Sequence, residues 1–186
     1  MPISTNLFLC FPTMESEKFF IREVKDCDYL DIKEIYDNQF LHMYNNVPYI
    51  ENRADSKDLI FGVRESYYNS ESILWVVEDK TTGECMGIIN LSEISELSSK
   101  GEIAFALKEE NINKGIMEEA MFVVTEELIN IYLFNRIEAN INVENIPHID
   151  VYNTVSFVIE GERNDYLYNE EFDVYMDCYI FARVKV

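Results

Sequence analysis

Two features between Lys108 and Tyr152 have the makings of a reactive site. The first is a glycine turn. The apolar stretch Gly101-Glu-Ile-Ala-Phe-Ala-Leu107 passes through a polar turn, Glu110-Asn-Ile-Asn-Lys-Gly-Ile-Met117, into a long amphipathic run. A strand that enters a helix through a glycine turn leaves unpaired backbone N–H groups at the helix N-terminus, and such groups bind phosphate. Glycine at 115 permits a positive φ or a close backbone approach, and Lys114 adds charge beside it. The second feature is Tyr152, whose hydroxyl keeps its proton at neutral pH and can donate it. Asn145 lies seven residues earlier, about two helical turns, on the same side of the predicted short helix. Asn is also a preferred helix N-cap, and the two roles are compatible. A phosphate cradle beside a strand–helix unit bearing a tyrosine points to a nucleotide-type cofactor and a proton donor in one site.

Composition bounds the rest. A chain of 186 residues with 48% hydrophobic content builds a sizeable core as a single domain, 1–186. No apolar run reaches 18 residues, so no membrane span is expected, and the apolar part of the N-terminus is too short for a secretion signal. Cys10, Cys27, Cys85 and Cys178 lack metal-ligand or redox spacing; they read as reduced core thiols of a cytoplasmic protein, with no metal site. The formal net charge of -20 argues against a nucleic-acid partner and favours cationic ones through long-range steering. Simple solubility is an equally good account of that charge.

The positioning elements follow from periodicity. Lys18–Arg22 reads as a strand. A helix capped by Asp26 runs through Tyr36, and a loop spans Asn45–Ala54. A second helix covers Ser56–Tyr68, with Leu59, Ile60, Val63 and Tyr67 as its stripe. Ile73–Val77 and Cys85–Leu91 flank the hairpin signal Thr81-Thr-Gly83, and Trp75 reads as core. Then come a strand over Ile103–Leu107, a helix from Gly115 to Ile131, a strand over Arg136–Val143 and a short helix over Pro147–Val155. Strands Phe157–Tyr168 and Phe172–Val184 form a last hairpin around Asn169-Glu170. The order β-α-α-β-β-β-α-β-α-β-β is α+β.

That order resembles the GNAT superfamily of acyl-CoA-dependent N-acetyltransferases. The chain is most similar to the group of ribosomal-protein N-terminal acetyltransferases and spermidine acetyltransferases. The resemblance rests on Gly101-Glu-Ile, Asn113-Lys-Gly-Ile-Met-Glu-Glu-Ala120, Asn135-Arg-Ile-Glu-Ala139, Val143-Glu-Asn145 and Gly161 through Asp165-Tyr166 to Asp173. It covers most of the chain after residue 70, and the N-terminal third matches only loosely. It implies a GNAT fold: a central, mostly antiparallel mixed sheet of roughly six to seven strands flanked by about four helices, splayed at the cofactor site.

The cofactor implied is acetyl-CoA. The family's phosphate loop, Gln/Arg-x-x-Gly-x-Gly/Ala, corresponds to Ile112, Asn113, Lys114, Gly115, Ile116 and Met117, where only Gly115 matches strictly. The loop works mainly through backbone N–H groups, which any residue but proline supplies. Phe105, Ala106 and Leu107 would offer main-chain groups to the pantetheine arm, between their strand and that of Ala139, and Asn145 would contact the arm or a water. Tyr152 falls on the tyrosine of the family's Tyr-x-x-x-Gly-Phe motif, facing the cofactor sulfur as the acid, although Ser156 replaces the glycine. For the base that deprotonates the amine, the resemblance offers Glu93 and Glu102. His148 sits near the start of the short helix, within reach of the cleft, but surface placement is the expectation. The acceptor implied is a primary amine, on a peptide N-terminus or on a cationic small molecule such as a polyamine. A homodimer through a sheet edge is compatible with the family. The alternative is a non-catalytic GNAT-fold binding protein, motivated by Ile112, Asn113, Ser156 and the negative Glu118 inside the phosphate-binding helix.

Overall fold

The computed structural model describes residues 3, 5–44, 53–170 and 172–186. Its strands are β1 (Met14–Glu15), β2 (Phe19–Glu23), β3 (Ile73–Asp79), β4 (Cys85–Ser95), β5 (Lys100–Leu107), β6 (Arg136–Asn142), β7 (Val158–Asn169) and β8 (Val174–Val184). Its helices are α1 (Tyr29–Tyr36), α2 (Gln39–Tyr44), α3 (Arg53–Tyr68), α4 (Ile116–Asn130) and α5 (Ile146–Thr154). The strands form one eight-stranded sheet in the order β1-β2-β3-β4-β5-β6-β8-β7. Every neighbouring pair is antiparallel except β5 and β6, which run parallel because α4 crosses over between them.

Two apolar layers sandwich the sheet. On one face, Ile32 and Ile35 of α1 and Ile60 of α3 pack on Leu74, Val76, Ile88 and Ala106. On the other, Met117, Met121, Val124 and Leu128 of α4 and Tyr152 of α5 pack on Trp75, Ile89, Leu91, Phe105 and Ala139. The unbroken apolar run of β3 follows, since both its faces are covered. Trp75 is fully buried, and its indole N–H donates to the Pro12 carbonyl at 2.7 Å. At the open end of α1, the buried Arg22 guanidinium makes a two-point contact with Asp28, at 2.8 and 2.9 Å. Among the described residues, no helix is long and apolar enough to cross a membrane.

The feature that builds a site is the parallel seam. β5 and β6 pair only at Lys100↔Arg136, Gly101↔Ile137 and Glu102↔Glu138. Past Glu102, β5 stays with β4 as far as Leu107, while β6 stays with β8 as far as Asn142. The strands diverge there, and one edge of β5 is left without a strand partner.

The expected α+β order and the splayed sheet are present, with two additions. The two-residue β1 raises the strand number among the described residues to eight; it pairs with β2 through Met14 and Glu15 and is too short to show periodicity. The short α2 follows α1 after a break at Asp37 and Asn38, so the helices number five among the described residues. α3 begins at Arg53, inside the segment expected to be a loop; the rest of that loop, 45–52, lies outside the described residues. Of the four cysteines, Cys85 and Cys178 are buried, but Cys10 and Cys27 are exposed, so the expectation of four core thiols is corrected.

Candidate functional site

Alternate residues of a strand present their main-chain groups to the same edge. On β5 the edge facing the gap carries the carbonyls of Ile103, Phe105 and Leu107, and each is met by a side chain from a different place in the fold. The Tyr152 hydroxyl donates to Ile103 O at 2.8 Å. The His148 Nε2 meets Phe105 O at 3.3 Å, which fixes the tautomer with the proton on Nε2. The Asn38 amide donates to Leu107 O at 3.3 Å. Beside this edge opens a narrow cleft between β5, the turn before α4, and α5. Phe105, Ala106, Leu107, Ile112 and Asn113 line it, so five of the expected cofactor contacts share one wall.

The turn at the cleft mouth has the expected conformation. Asn113 has φ 61° and Gly115 has φ 75°, both left-handed, and Gly115 is the N-cap of α4 without any side-chain cap. The Asn111 side-chain amide donates to Met86 O at 3.1 Å and its oxygen accepts from Lys114 Nζ at 3.4 Å, which ties the turn to β4. The first helical bond closes at Glu119 N to Gly115 O, so the amides of Ile116, Met117 and Glu118 have no partner within the helix. Asn113, Lys114 and Gly115 are exposed, whereas the side chains of Ile116 and Met117 are core. These two contribute backbone only. Such a cluster of outward N–H groups fits a phosphate, and a β5 edge with three carbonyls fits an arm that carries amides. Glu118 also lines the cleft and opposes that fit with its charge. Lys108 does not compensate, because Asp31 and Glu34 hold its ammonium at 2.7 and 2.8 Å.

Tyr152 lies at the inner end of the edge. It is fully buried, against Phe105, Phe157 and Phe181. Its hydroxyl, expected to face the cofactor sulfur, donates to Ile103 O, and Tyr152 does not line the cleft, whereas its neighbour Val151 does. Burial, with the Glu102 charge added, pushes its pKa well above the ordinary tyrosine range, so the hydroxyl holds its proton. Glu102 is the last β5 residue paired with β6, and its carboxylate accepts from the Asn140 amide at 3.0 Å. The Asn140 oxygen in turn accepts from Arg163 at 3.2 Å. Glu93 sits exposed in the β4 bulge between Ser92 and Ser95, with φ 48°, and neither it nor Glu102 lines the cleft. Asn145 caps α5, its oxygen accepting from His148 N at 3.4 Å, which is the local role expected of it.

His148 corrects the sequence reading most directly. It is half-buried in the cleft wall, not on the outer surface, with its ring stacked on Phe105 at 4.2 Å between centroids and 5° between planes. Desolvation lowers its pKa to about 4 despite the carbonyl contact. Its spacing was the available signal, since 148 and 152 are four apart and share a helix face. Asn38 and Leu41 gave no such signal, because they reach the cleft from a segment 69 residues distant from Leu107.

Comparison with known proteins bears on this architecture. Residues 18–158 match the family model described as an acetyltransferase (GNAT) domain. An uncharacterized N-acetyltransferase of Bacillus licheniformis, p20, is 25% identical over 175 residues, 93% of this chain and 96% of that protein. The ribosomal-protein-S5-alanine acetyltransferase of Vibrio fischeri superposes with a TM-score of 0.82 at 22% identity, over 94% of this chain and 97% of that one. The spermidine N-acetyltransferase of Vibrio cholerae, solved with CoA and spermine, gives 0.78 at 18% identity, over 91% and 97%. These two likenesses are of fold. The family match spans well over half of the sequence, and the chain belongs to the acetyltransferase (GNAT) domain family of enzymes.

Proposed function

We propose that the protein transfers the acetyl group of acetyl-CoA to a primary amine, by direct attack of the amine on the thioester. The observation that carries this reading is the unpartnered edge of β5, which runs from the amide-rich turn before α4 to the hydroxyl of Tyr152. Bound acetyl-CoA supplies an activated acyl thioester. The amides of Asn113 to Glu118 hold its phosphates. Main-chain groups of Phe105 and Leu107 orient its arm as a sheet edge orients an added strand, whereas the main-chain groups of Ala106, also expected to contact the arm, face β4 instead. Glu102, kept in place by Asn140, takes the proton of the amine directly or through a water. Tyr152 holds at Oη the proton required by the departing sulfur and delivers it by leaving the Ile103 carbonyl, because the hydroxyl does not line the cleft while that bond is made.

The acceptor is a polyamine-like cation or a peptide N-terminus; similar structures carry the names of both classes. The net charge of -20 favours a cationic acceptor. Unbridged cysteines agree with a cytoplasmic setting, and β7, at the outer edge of the sheet, is where a second copy would pair. A second reading, a non-catalytic binding protein on the same fold, is favoured by Glu118 at the cleft mouth. Titration calorimetry with acetyl-CoA decides between them, followed by a turnover screen over polyamines and N-terminal peptides. Micromolar binding with turnover supports the transferase. No binding up to millimolar refutes it and leaves the second reading.

A further inference from the structure

The β5 edge that should receive the acyl-donor arm is already capped by the protein's own side chains. Of the three caps, Tyr152 is locked in the core, whereas His148 and Asn38 stand in the cleft wall. His148 is held through its ring alone, by the Phe105 stack and the Phe105 carbonyl. Its backbone is fixed independently, by the Asn145 cap on its N–H, so the ring can turn out without unwinding α5. The ring lines the cleft and is partly exposed, so it can turn toward solvent. An arm lying along β5 needs the same carbonyl for one of its amides, and a carbonyl already served by an imidazole offers it little.

We infer that His148 is a gate on the donor tunnel: its imidazole stands in for an arm amide at the Phe105 carbonyl and must swing aside before the arm of an acyl-CoA can lie along β5. The inference rests on the acetyl-CoA reading proposed above. It makes His148 a positioning residue and separates the two halves of the donor. The phosphates meet a preformed cradle at residues 113–118, while the arm meets a closed one. The other titratable groups on the enclosing elements are Lys100 and Glu102 on β5, Glu118, Glu119, Glu126 and Glu127 on α4, and Asp150 and Tyr152 on α5; of these, Glu118 lines the cleft among the described residues. The low pKa of His148 agrees with a neutral ring tucked against the strand.

The test uses two probes, free CoA and adenosine 3′,5′-bisphosphate, titrated by calorimetry into the wild type and His148→Ala. The bisphosphate is expected to bind both alike, and CoA to bind the variant roughly tenfold more tightly, as removal of one competing hydrogen bond and a ring stack implies. Equal CoA affinity in the two proteins overturns the gate and leaves the acetyl-CoA reading intact. Failure of CoA to bind either protein overturns both. A second measurement needs no variant. The chain has only two histidines, so the His148 ring resonance is readily assigned by NMR. Its titration midpoint is expected to rise from about 4 in the free protein toward the ordinary value of about 6.5 when CoA saturates the site. A midpoint unmoved by bound CoA overturns the gate.

Discussion

Replacing Tyr152 with phenylalanine removes a single oxygen atom that has both a structural and a chemical assignment, and the two are separable by magnitude. Structurally, the hydroxyl satisfies the Ile103 carbonyl at 2.8 Å in a fully buried setting. Phenylalanine leaves that acceptor unpaired, which costs about 1–3 kcal/mol. For a domain of this size the corresponding fall in Tm is about 2–12 °C. Chemically, loss of a positioned acid lowers kcat by roughly 10²–10⁴-fold. Affinity for CoA should stay within about a factor of three, since the cleft wall at this level is Val151. The assay is steady-state turnover with the best amine from the screen, alongside calorimetry with CoA and a thermal melt. A variant that melts lower yet turns over within a factor of two of wild type refutes the chemical assignment, and Tyr152 is then a strand tie only. A variant that melts at the wild-type temperature refutes the hydrogen bond to Ile103.

Three further outcomes are expected. Gly115 has φ 75° and no atom within 4 Å of an added Cβ, so Gly115→Ala should fold with a strain cost of about 1 kcal/mol, while Gly115→Pro should lose CoA binding in calorimetry. Gly87→Ala places a methyl 2.6 Å from the Ala106 carbonyl oxygen and 2.7 Å from Met117 Cε; the backbone contact cannot yield, so stability measured by urea unfolding should fall by about 1–3 kcal/mol. Arg22→Met strips the buried Asp28 of its partner and should cost on the order of 3 kcal/mol at pH 7. Burial alone would raise the Asp28 pKa, but the hydrogen bonds from Arg22 and Lys25 and their charges outweigh it, and the net shift is downward. A lowered folded pKa means stability present above the usual carboxylate pKa of about 3.9 and lost as pH falls through the folded value. The gap in melting temperature between wild type and Arg22→Met should therefore shrink below pH 4; a gap constant from pH 7 to 3 contradicts the pairing.

Much of this arrangement was written in local pattern. The helix over α4 declares itself by apolar residues at three- and four-residue steps, and the turn before it by Lys114-Gly115, because both depend on neighbours in the chain. Asn145 and Tyr152 keep their relation for the same reason, being on one short helix. What stayed hidden depends on long-range pairing. No local rule distinguishes Glu93 from Glu102 as carboxylates near strand ends; the bulge at Ser92 and Ser95 exposes one, and the end of the β5–β6 pairing brings the other to Asn140. The capture of Leu107 O by Asn38 likewise exists only once α1 and α2 have packed beside β5. His148 is an intermediate case, visible to helical spacing but hidden by the habit of assigning a lone histidine to the surface.

The seam between β5 and β6 also has a mechanical consequence. The sheet consists of two antiparallel parts, β1 to β5 and the set β6-β8-β7. Three register pairs are all the strand pairing that joins them, alongside side-chain ties such as Asn140 to Glu102 and Tyr152 to Ile103. Solvent should therefore find the amide hydrogens of this line before those of the strands on either side, although it lies at the centre of the molecule. A ligand seated along β5 against α5 would touch both parts at once. Amide exchange at Gly101, Glu102 and Ile137 should slow when the cleft fills, making this short parallel seam a sensitive reporter of occupancy.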